Sequence, residues 1–326
     1  MSRQKTKILF IHHGEVLGGA PTSLYNLISE LKKSESGNQL DISLWILNHE
    51  MKSFFESIDG IDSHIISSPA KTFSKYLIWG GFRFGKQFIK KLFYDIIHFR
   101  GLVNLYRDRI RDQDPDIVHL NSAILFIPAI AAKIEGVPVI WHVREMISGR
   151  TFNPRRLIVE YLIDRFSDEI IGISASAFSN LNVKKSNKNI IYNSVNIERF
   201  LSESELTNYR KQLSVPESDT VLVTLGGVNF RKGLAEILEA FGKITERNVH
   251  LVVAGPKPTT FNINVPDNIN RVLYLEDLAI KLRIVKCRKK YYSQRIALLY
   301  NKLTNEQKKS VHFIGNIQEV PSLIAS

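Results

Sequence analysis

Several absences narrow the chemistry open to this chain. A single cysteine, Cys287, in 326 residues excludes an intrachain disulfide and a cysteine-built metal cluster, and it fits a reducing compartment. Neither G-x-G-x-x-G nor G-x-x-x-x-G-K-[ST] occurs, which weakens dehydrogenase and P-loop NTPase readings. No H-E-x-x-H occurs, and no histidine–carboxylate pair has a convincing metal-site spacing. Long apolar runs are missing too. The nearest, AILFIPAIAA at 123–132, falls well short of the ~18 residues of a spanning helix and contains Pro128. The apolar start ILFI is interrupted by His12, His13 and Glu15, so no secretory signal is evident. Acidic residues are also in deficit, 32 against 44 basic, for a net charge of +12. That excess suggests an anionic partner: nucleic acid, lipid headgroups or a phosphorylated substrate. No nucleic-acid-binding module is recognisable, so nucleic acid is the disfavoured member. The expected location is the cytoplasm, with peripheral attachment at the inner face of the membrane.

What is present is an alternation. KILFIH (7–12), DISLWIL (41–47), DIVHL (116–120), VPVIWHV (137–143), EIIGIS (169–174) and NIIYN (189–193) read as strands. Between them lie helical patterns. In one, Leu24, Leu27, Ile28 and Leu31 recur at i, i+3, i+4, i+7 after Pro21, a residue suited to the first helical turn. Another runs from Ile124 to Ile134. After NSVNIERF (193–200) the pattern restarts with TVLVTL (220–225), the loop GGVNFRKG (226–233), a helix from Leu234 to Ile244, then HLVVAG (250–255) and VHFIG (311–315). This order predicts an α/β protein of two Rossmann-like domains, 1–196 and 197–326, facing a cleft at the carboxyl ends of their strands. The second domain is expected to be incomplete, with about three strands.

Both domains place a double glycine between strand and helix: Gly18–Gly19 and Gly226–Gly227. Such loops leave backbone N–H groups at a helix N-terminus free to meet an anion. Arg231 and Lys232 follow the second pair, and the combination reads as a diphosphate site. The plainer readings are a tight turn for the first pair and solvated charges for the second. WHVREM (141–146) closes a strand, which puts His142, Arg144 and Glu145 at the cleft, as His12 and His13 are at the end of the first strand. His142 reads either as a structural histidine or as a group that exchanges a proton or hydrogen bond with substrate.

Taken in order, GGAPTSLYNLISEL, DIVHLNS, VPVIWHVRE, IIGISASAFSNL, IIYNSVNIERF, LGGVNFRKGLAEILEAF, LVVAGP and VHFIGNIQEVPSLIAS form a set. The set resembles the group 1 (family 4) glycosyltransferases, which have the GT-B fold. The resemblance implies transfer of a sugar from a nucleotide-sugar donor, with retention of configuration, to a lipid-linked or glycan acceptor in cell-surface polysaccharide or lipopolysaccharide synthesis. It implies no metal and no other cofactor. By motif, Gly18 and Gly19 match the glycine loop facing the donor, Gly226 and Gly227 belong to the donor-domain loop, and Lys232 matches the diphosphate lysine. His142 matches the cleft histidine beside the transferred sugar, with a polar or acid/base role. Asn193 to Phe200 match the interdomain segment. His13, Arg144 and Glu145 fall on the acceptor side.

Three departures stand out. Gly227 occupies the place of a family arginine, for which Arg231 is the nearest substitute. Asn193-Ser194-Val195 replaces N-G-V. The family's later acidic motif does not appear before Ser326. An alternative expectation is therefore a truncated remnant or binding protein that keeps the acceptor domain without turnover. The stretch 71–111, rich in Lys, Arg, Trp and Phe, reads either as a contact for an anionic membrane surface or as helices with basic solvent faces.

Overall fold

The structure is a computed structural model that describes residues 5–14, 18–46, 49–65, 86–145, 147, 154–179, 181–184, 187–195, 197, 208–229, 232–256, 289–317 and 320–325. Arg231 and most of the basic stretches 71–111 and 281–295 lie outside the residues whose side chains are described. The chain divides into two compact units, Met1–Val195 and Asn196–Ser326.

The first unit is built from β1 (Thr6–Ile11), α1 (Gly19–Lys33), β2 (Leu40–Ile46), α2 (His49–Glu56), β3 (Asp62–Ile65), α3 (Lys86–Gln113) and β4 (Ile117–Leu120). It continues with α4 (Phe126–Ile134), β5 (Val139–Val143), α5 (Pro154–Phe166), β6 (Glu169–Gly172), α6 (Ala175–Ser179) and β7 (Lys188–Ile190). Its seven strands are parallel, in the order β3-β2-β1-β4-β5-β6-β7. A parallel sheet must be covered on both faces, which explains why its strands read as unbroken apolar runs. Alternate residues serve opposite faces. Phe10, Ile42, Leu44 and Ile46 pack with Leu24 and Ile28 of α1 and Met51 and Phe55 of α2. Leu9, Ile11, Val118, Leu120 and the fully buried Trp141 face the other way, against α3, α4 and α5.

Strand ends differ from the sequence pattern for local reasons. β6 stops at Gly172, where a side chain would strike the Phe178 ring at 2.9 Å, so the backbone turns there into α6. The stretch 189–193 leaves the sheet after Ile190, and Asn193 is held by side chains of α1 and the β5 end instead. The short strand β3 (Asp62–Ile65, DSHI) has no apolar run to announce it; β2 recruits it by backbone pairing. α3 is one helix of 28 residues, and the part of the basic stretch before residue 86 lies outside the described residues. Among the described residues no helix is long and apolar enough to cross a membrane.

The second unit contains α7 (Tyr209–Leu213), β8 (Thr220–Leu225), α8 (Leu234–Phe241), β9 (Val249–Ala254), α9 (Lys289–Lys302), α10 (Asn305–Lys309), β10 (Val311–Gly315) and α11 (Val320–Ala325). Among the described residues its sheet has three parallel strands in the order β10-β9-β8. Leu234, Leu238 and Phe241 of α8 pack with Leu251, Val253, Tyr292 and Ile296. Leu323 of α11 covers Val252 and Ala254 on the opposite face. β8 stays more open, with Leu222 at 41% and Leu225 at 42% exposure.

This contrast predicts unequal costs for one chemical change. Leu24→Ala, in a filled core, should cost about 2–5 kcal/mol in urea unfolding. Leu222→Ala, on half-open β8, should cost less than about 1 kcal/mol. Equal costs would show that β8 is covered in solution.

Candidate functional site

The sheet of the first unit reverses its order between β1 and β4: β2 lies on one side of β1 and β4 on the other. At such a switch the connections leave toward opposite faces and the strand ends open a crevice. His12 follows β1 and anchors its N–H on the Trp45 carbonyl at 2.9 Å. Asn121 follows β4 and donates its N–H to the Ile11 carbonyl at 3.0 Å. The two side chains then meet, Asn121 Nδ2 lying 3.0 Å from His12 Nδ1. Because Asn121 Oδ1 accepts from Arg144 Nε, its amide nitrogen must be the group facing His12. His12 Nδ1 is therefore the acceptor, and the ring proton of the neutral form sits on Nε2. That Nε2 is buried without a partner. A side chain at position 14 would come within 2.3 Å of it, so glycine leaves the ring its place.

Arg144 ties three segments together. Its Nη1 donates to Ser23 Oγ on α1 at 2.7 Å and to Asn193 Oδ1 at 3.0 Å. Ser23 Oγ donates in turn to Asn193 Oδ1 at 2.6 Å. Glu145, the next residue, turns the other way. It accepts from Ser122 Oγ and from the Ala123 N–H at 3.0 Å, and so braces the turn from β4 into α4. This turn holds residues 122–124 outside the helix, which begins at Phe126 rather than Ile124. Burial pushes the Glu145 carboxyl up, against the opposing pull of those hydrogen bonds. Trp141 donates its indole N–H to the Ser122 carbonyl at 2.8 Å.

His142, on β5, is buried with Nδ1 3.3 Å from His119 Nε2 of β4, and its own Nε2 has no partner. Burial is the main cause that lowers the pKa of His12 and His119 to about 3 and that of His142 to about 2; the Arg144 charge adds to all three. His142 is therefore a neutral imidazole at pH 7, suited to hydrogen bonding rather than to delivering a stored proton. His13 lies beside His12, their ring centroids 5.6 Å apart.

The two double glycines serve different ends. Gly18 is the N-cap of α1 with φ 179°, an extended backbone open to any residue. A side chain on Gly18 or Gly19 would meet nothing within 4 Å. Packing among the described residues does not demand glycine there. In the second unit it does. Gly226 and Gly227 have φ of 129° and 54°, and a side chain on Gly227 would lie 2.4 Å from the Pro256 carbonyl oxygen. Their N–H groups both donate to the Ala254 carbonyl at 2.8 Å. The amides expected to face a phosphate are thus engaged within the protein, because the turns after β8 and β9 pack backbone on backbone. Lys232 remains exposed, its stem lying over Gly226.

Sequence reasoning overlooked Ser23, Asn121, Ser122 and His119 as site groups. The polar pair Asn121-Ser122, directly ending an apolar strand, was the available signal.

A pH dependence follows. A histidine held neutral in the fold, with an ordinary pKa of 6.5 when unfolded, makes the unfolded chain bind more protons between those values. Stability is full above pH 6.5 and falls as pH drops toward 3, by about 1.4 kcal/mol per histidine per pH step. Chemical unfolding at pH 7.5 and 5.5 should show this loss, and His119→Gln should reduce it by about a third. An unchanged slope would mean that the His119 ring is hydrated.

Comparison with known proteins adds to this geometry. The family description Glycosyltransferase Family 4 matches residues 101–199. The chain is 31% identical over 105 residues to an uncharacterized glycosyltransferase of Methanocaldococcus jannaschii, a match covering 30% of this chain and 27% of that protein. The matched region spans about a quarter of that relative's length. Among solved structures, Anabaena HepE in complex with UDP and glucose is similar with TM-score 0.62 and 18% identity, over 98% of this chain and 71% of that one. The apo lipopolysaccharide outer core galactosyltransferase WaaB gives 0.52 and 14%, over 96% and 69%. Identities this low establish the fold alone. Residues 101–199 thus match the family 4 glycosyltransferases, and the chain shares the GT-B fold of these solved structures.

Proposed function

We propose that this protein is a retaining glycosyltransferase that moves a sugar from a nucleotide-sugar to a lipid-linked or polysaccharide acceptor in cell-surface glycan synthesis. The observation that carries the reading is the switch-point crevice of the first unit. There the buried Nε2 of His142 has no hydrogen-bond partner among the described residues, in a segment that the family match includes. A neutral imidazole offers one hydrogen bond to a sugar hydroxyl, and Gly18 and Gly19 at the start of α1 put no side chain in the way of an anionic group.

In the second unit, Lys232, helped by Arg231, offsets charge on the departing diphosphate. The bond from the anomeric carbon to the phosphate oxygen breaks, and a bond from that carbon to the acceptor oxygen forms on the same face. The acceptor's hydroxyl proton passes to the departing phosphate oxygen. No protein nucleophile is assigned, and no metal or other cofactor is called on. UDP as the nucleotide is suggested by HepE, and a lipid-linked acceptor by WaaB and the basic stretch 71–111. On this reading the protein works at a cytoplasmic membrane surface without spanning it.

A second reading, donor or acceptor binding without turnover, is favoured by one observation: the Gly226 and Gly227 amides are used internally, so that loop brings fewer anion donors than its sequence suggested. Calorimetry with UDP and a radiolabelled UDP-sugar assay with membrane lipid extracts separate the two. The expected result is UDP binding weakened at least tenfold by Lys232→Ala, and labelled lipid product lowered about a hundredfold or more in the same variant. Binding without product would establish the second reading. Absence of binding by any nucleotide or nucleotide-sugar would sink the first reading and the donor-binding form of the second.

A further inference from the structure

Arg144 is an unusual cation for its surroundings. A guanidinium has five N–H donors. In the first unit three of them go to Asn121 Oδ1, Ser23 Oγ and Asn193 Oδ1, all uncharged oxygens. These come from three places: the turn after β4, the first turns of α1, and the segment after β7. They fix the plane of the group from three sides. The two N–H donors of Nη2 have no acceptor among the described residues. Glu145, whose charge Arg144 feels, spends both carboxylate oxygens on Ser122 and Ala123. No carboxylate of the described residues makes an ion pair with Arg144. Its charge instead bears on His12, His119 and His142, which lie around it as neutral rings.

Keeping a half-buried cation without a counterion costs free energy, and burial lowers the Arg144 pKa to about 10. The tie uses three donors, more than a neutral amide with two could offer, yet it leaves the charge and the Nη2 edge unused among the described residues. A charge held rigid by three side chains, with one edge unused among the described residues, is suited to a ligand that brings the missing negative charge.

We propose that Arg144 is the anchor for an oxyanion carried by the acceptor, a phosphate or a carboxylate group, bound through its Nη2 edge. The proposal rests on the glycosyltransferase reading for the word acceptor, and on the Arg144 geometry for the oxyanion. It makes the acceptor an anionic molecule, such as a phosphate-bearing lipid headgroup or a glycan with an acidic sugar. Ser23, Asn121 and Asn193 are positioning residues that act through Arg144.

The test uses the full chain with Lys232→Ala, which removes the anion site proposed for the second unit. Inorganic phosphate, glucuronate and glucose are titrated by calorimetry, with near-ultraviolet circular dichroism as the check on the fold. The expected result is binding of phosphate or glucuronate but not glucose. Phosphate as the stronger ligand points to a phosphate-bearing acceptor, and glucuronate as the stronger to an acidic sugar. Adding Arg144→Gln should weaken the preferred anion at least tenfold. Arg144→Lys, which keeps the charge but loses the fork, should weaken it severalfold with an unaltered fold signal, and it decides the matter if the glutamine variant unfolds. Anion affinity unchanged in Arg144→Lys, or glucose bound as well as the anions, would overturn the proposal. Failure of every nucleotide and nucleotide-sugar to bind the unmodified chain, with anion binding at Arg144 intact, would remove the glycosyltransferase reading and leave the oxyanion site standing.

Discussion

The reversal of strand order beside β1 is the constraint from which the first unit's chemistry follows. β1 leads into α1 on one face of the sheet, and β4 leads into α4 on the other. The chain cannot close the gap between these diverging turns with apolar side chains, because both turns carry backbone groups that need partners. Polar residues fill it: His12, Asn121, Ser122, and from the neighbouring strand end Arg144 and Glu145. The buried hydrogen-bond chain from His12 through Asn121 and Arg144 to Ser23 and Asn193 is thus a product of topology. Its low-dielectric setting keeps the histidines neutral and concentrates the positive charge on one guanidinium.

Glycine illustrates how one sequence signal can have two physical causes. Gly226–Gly227 answer to their own protein. Positive φ and the close passage of the Gly255–Pro256 backbone admit no side chain, and the amides are spent on Ala254. Among the described residues, Gly18–Gly19 answer to no neighbour. The second pair stabilises a fold, while the first leaves room. Read as letters the two loops were equivalent, and only the positions of neighbouring atoms separate them.

Much of the architecture was legible beforehand. The strands at 7–12, 41–47, 116–120, 220–225, 250–255 and 311–315 appear within a residue or so of their apolar runs, because parallel strands buried on both faces have few alternatives. Helix α1 follows its i, i+3, i+4 spacing for the same reason. What was not legible is what tertiary contacts create. β3 exists because β2 offers it a pairing edge, and α5 carries apolar and charged residues around most of its circumference with little periodic signal. Of the candidate site residues, His12, His13, His142, Arg144 and Glu145 were visible as polar groups ending apolar strands. Ser23 was hidden inside a helix pattern, and Asn121 and Ser122 lay inside a motif whose other residues drew the attention.

By itself, then, the sequence determined the alternation of buried strands and amphipathic helices, the parallel α/β class, and the set of polar residues that end at strand termini. Those properties depend on local spacing and on the burial of apolar side chains, which neighbouring residues along the chain decide. The tertiary structure alone decided which of those polar groups meet. Ser23 and Arg144 are 121 residues apart, and Asn193 is 170 residues from Ser23, yet all three share one hydrogen-bonded cluster. It also decided that Glu145 braces a turn while the adjacent Arg144 keeps an open edge, since successive side chains leave the backbone in different directions toward environments that only the folded sheet creates.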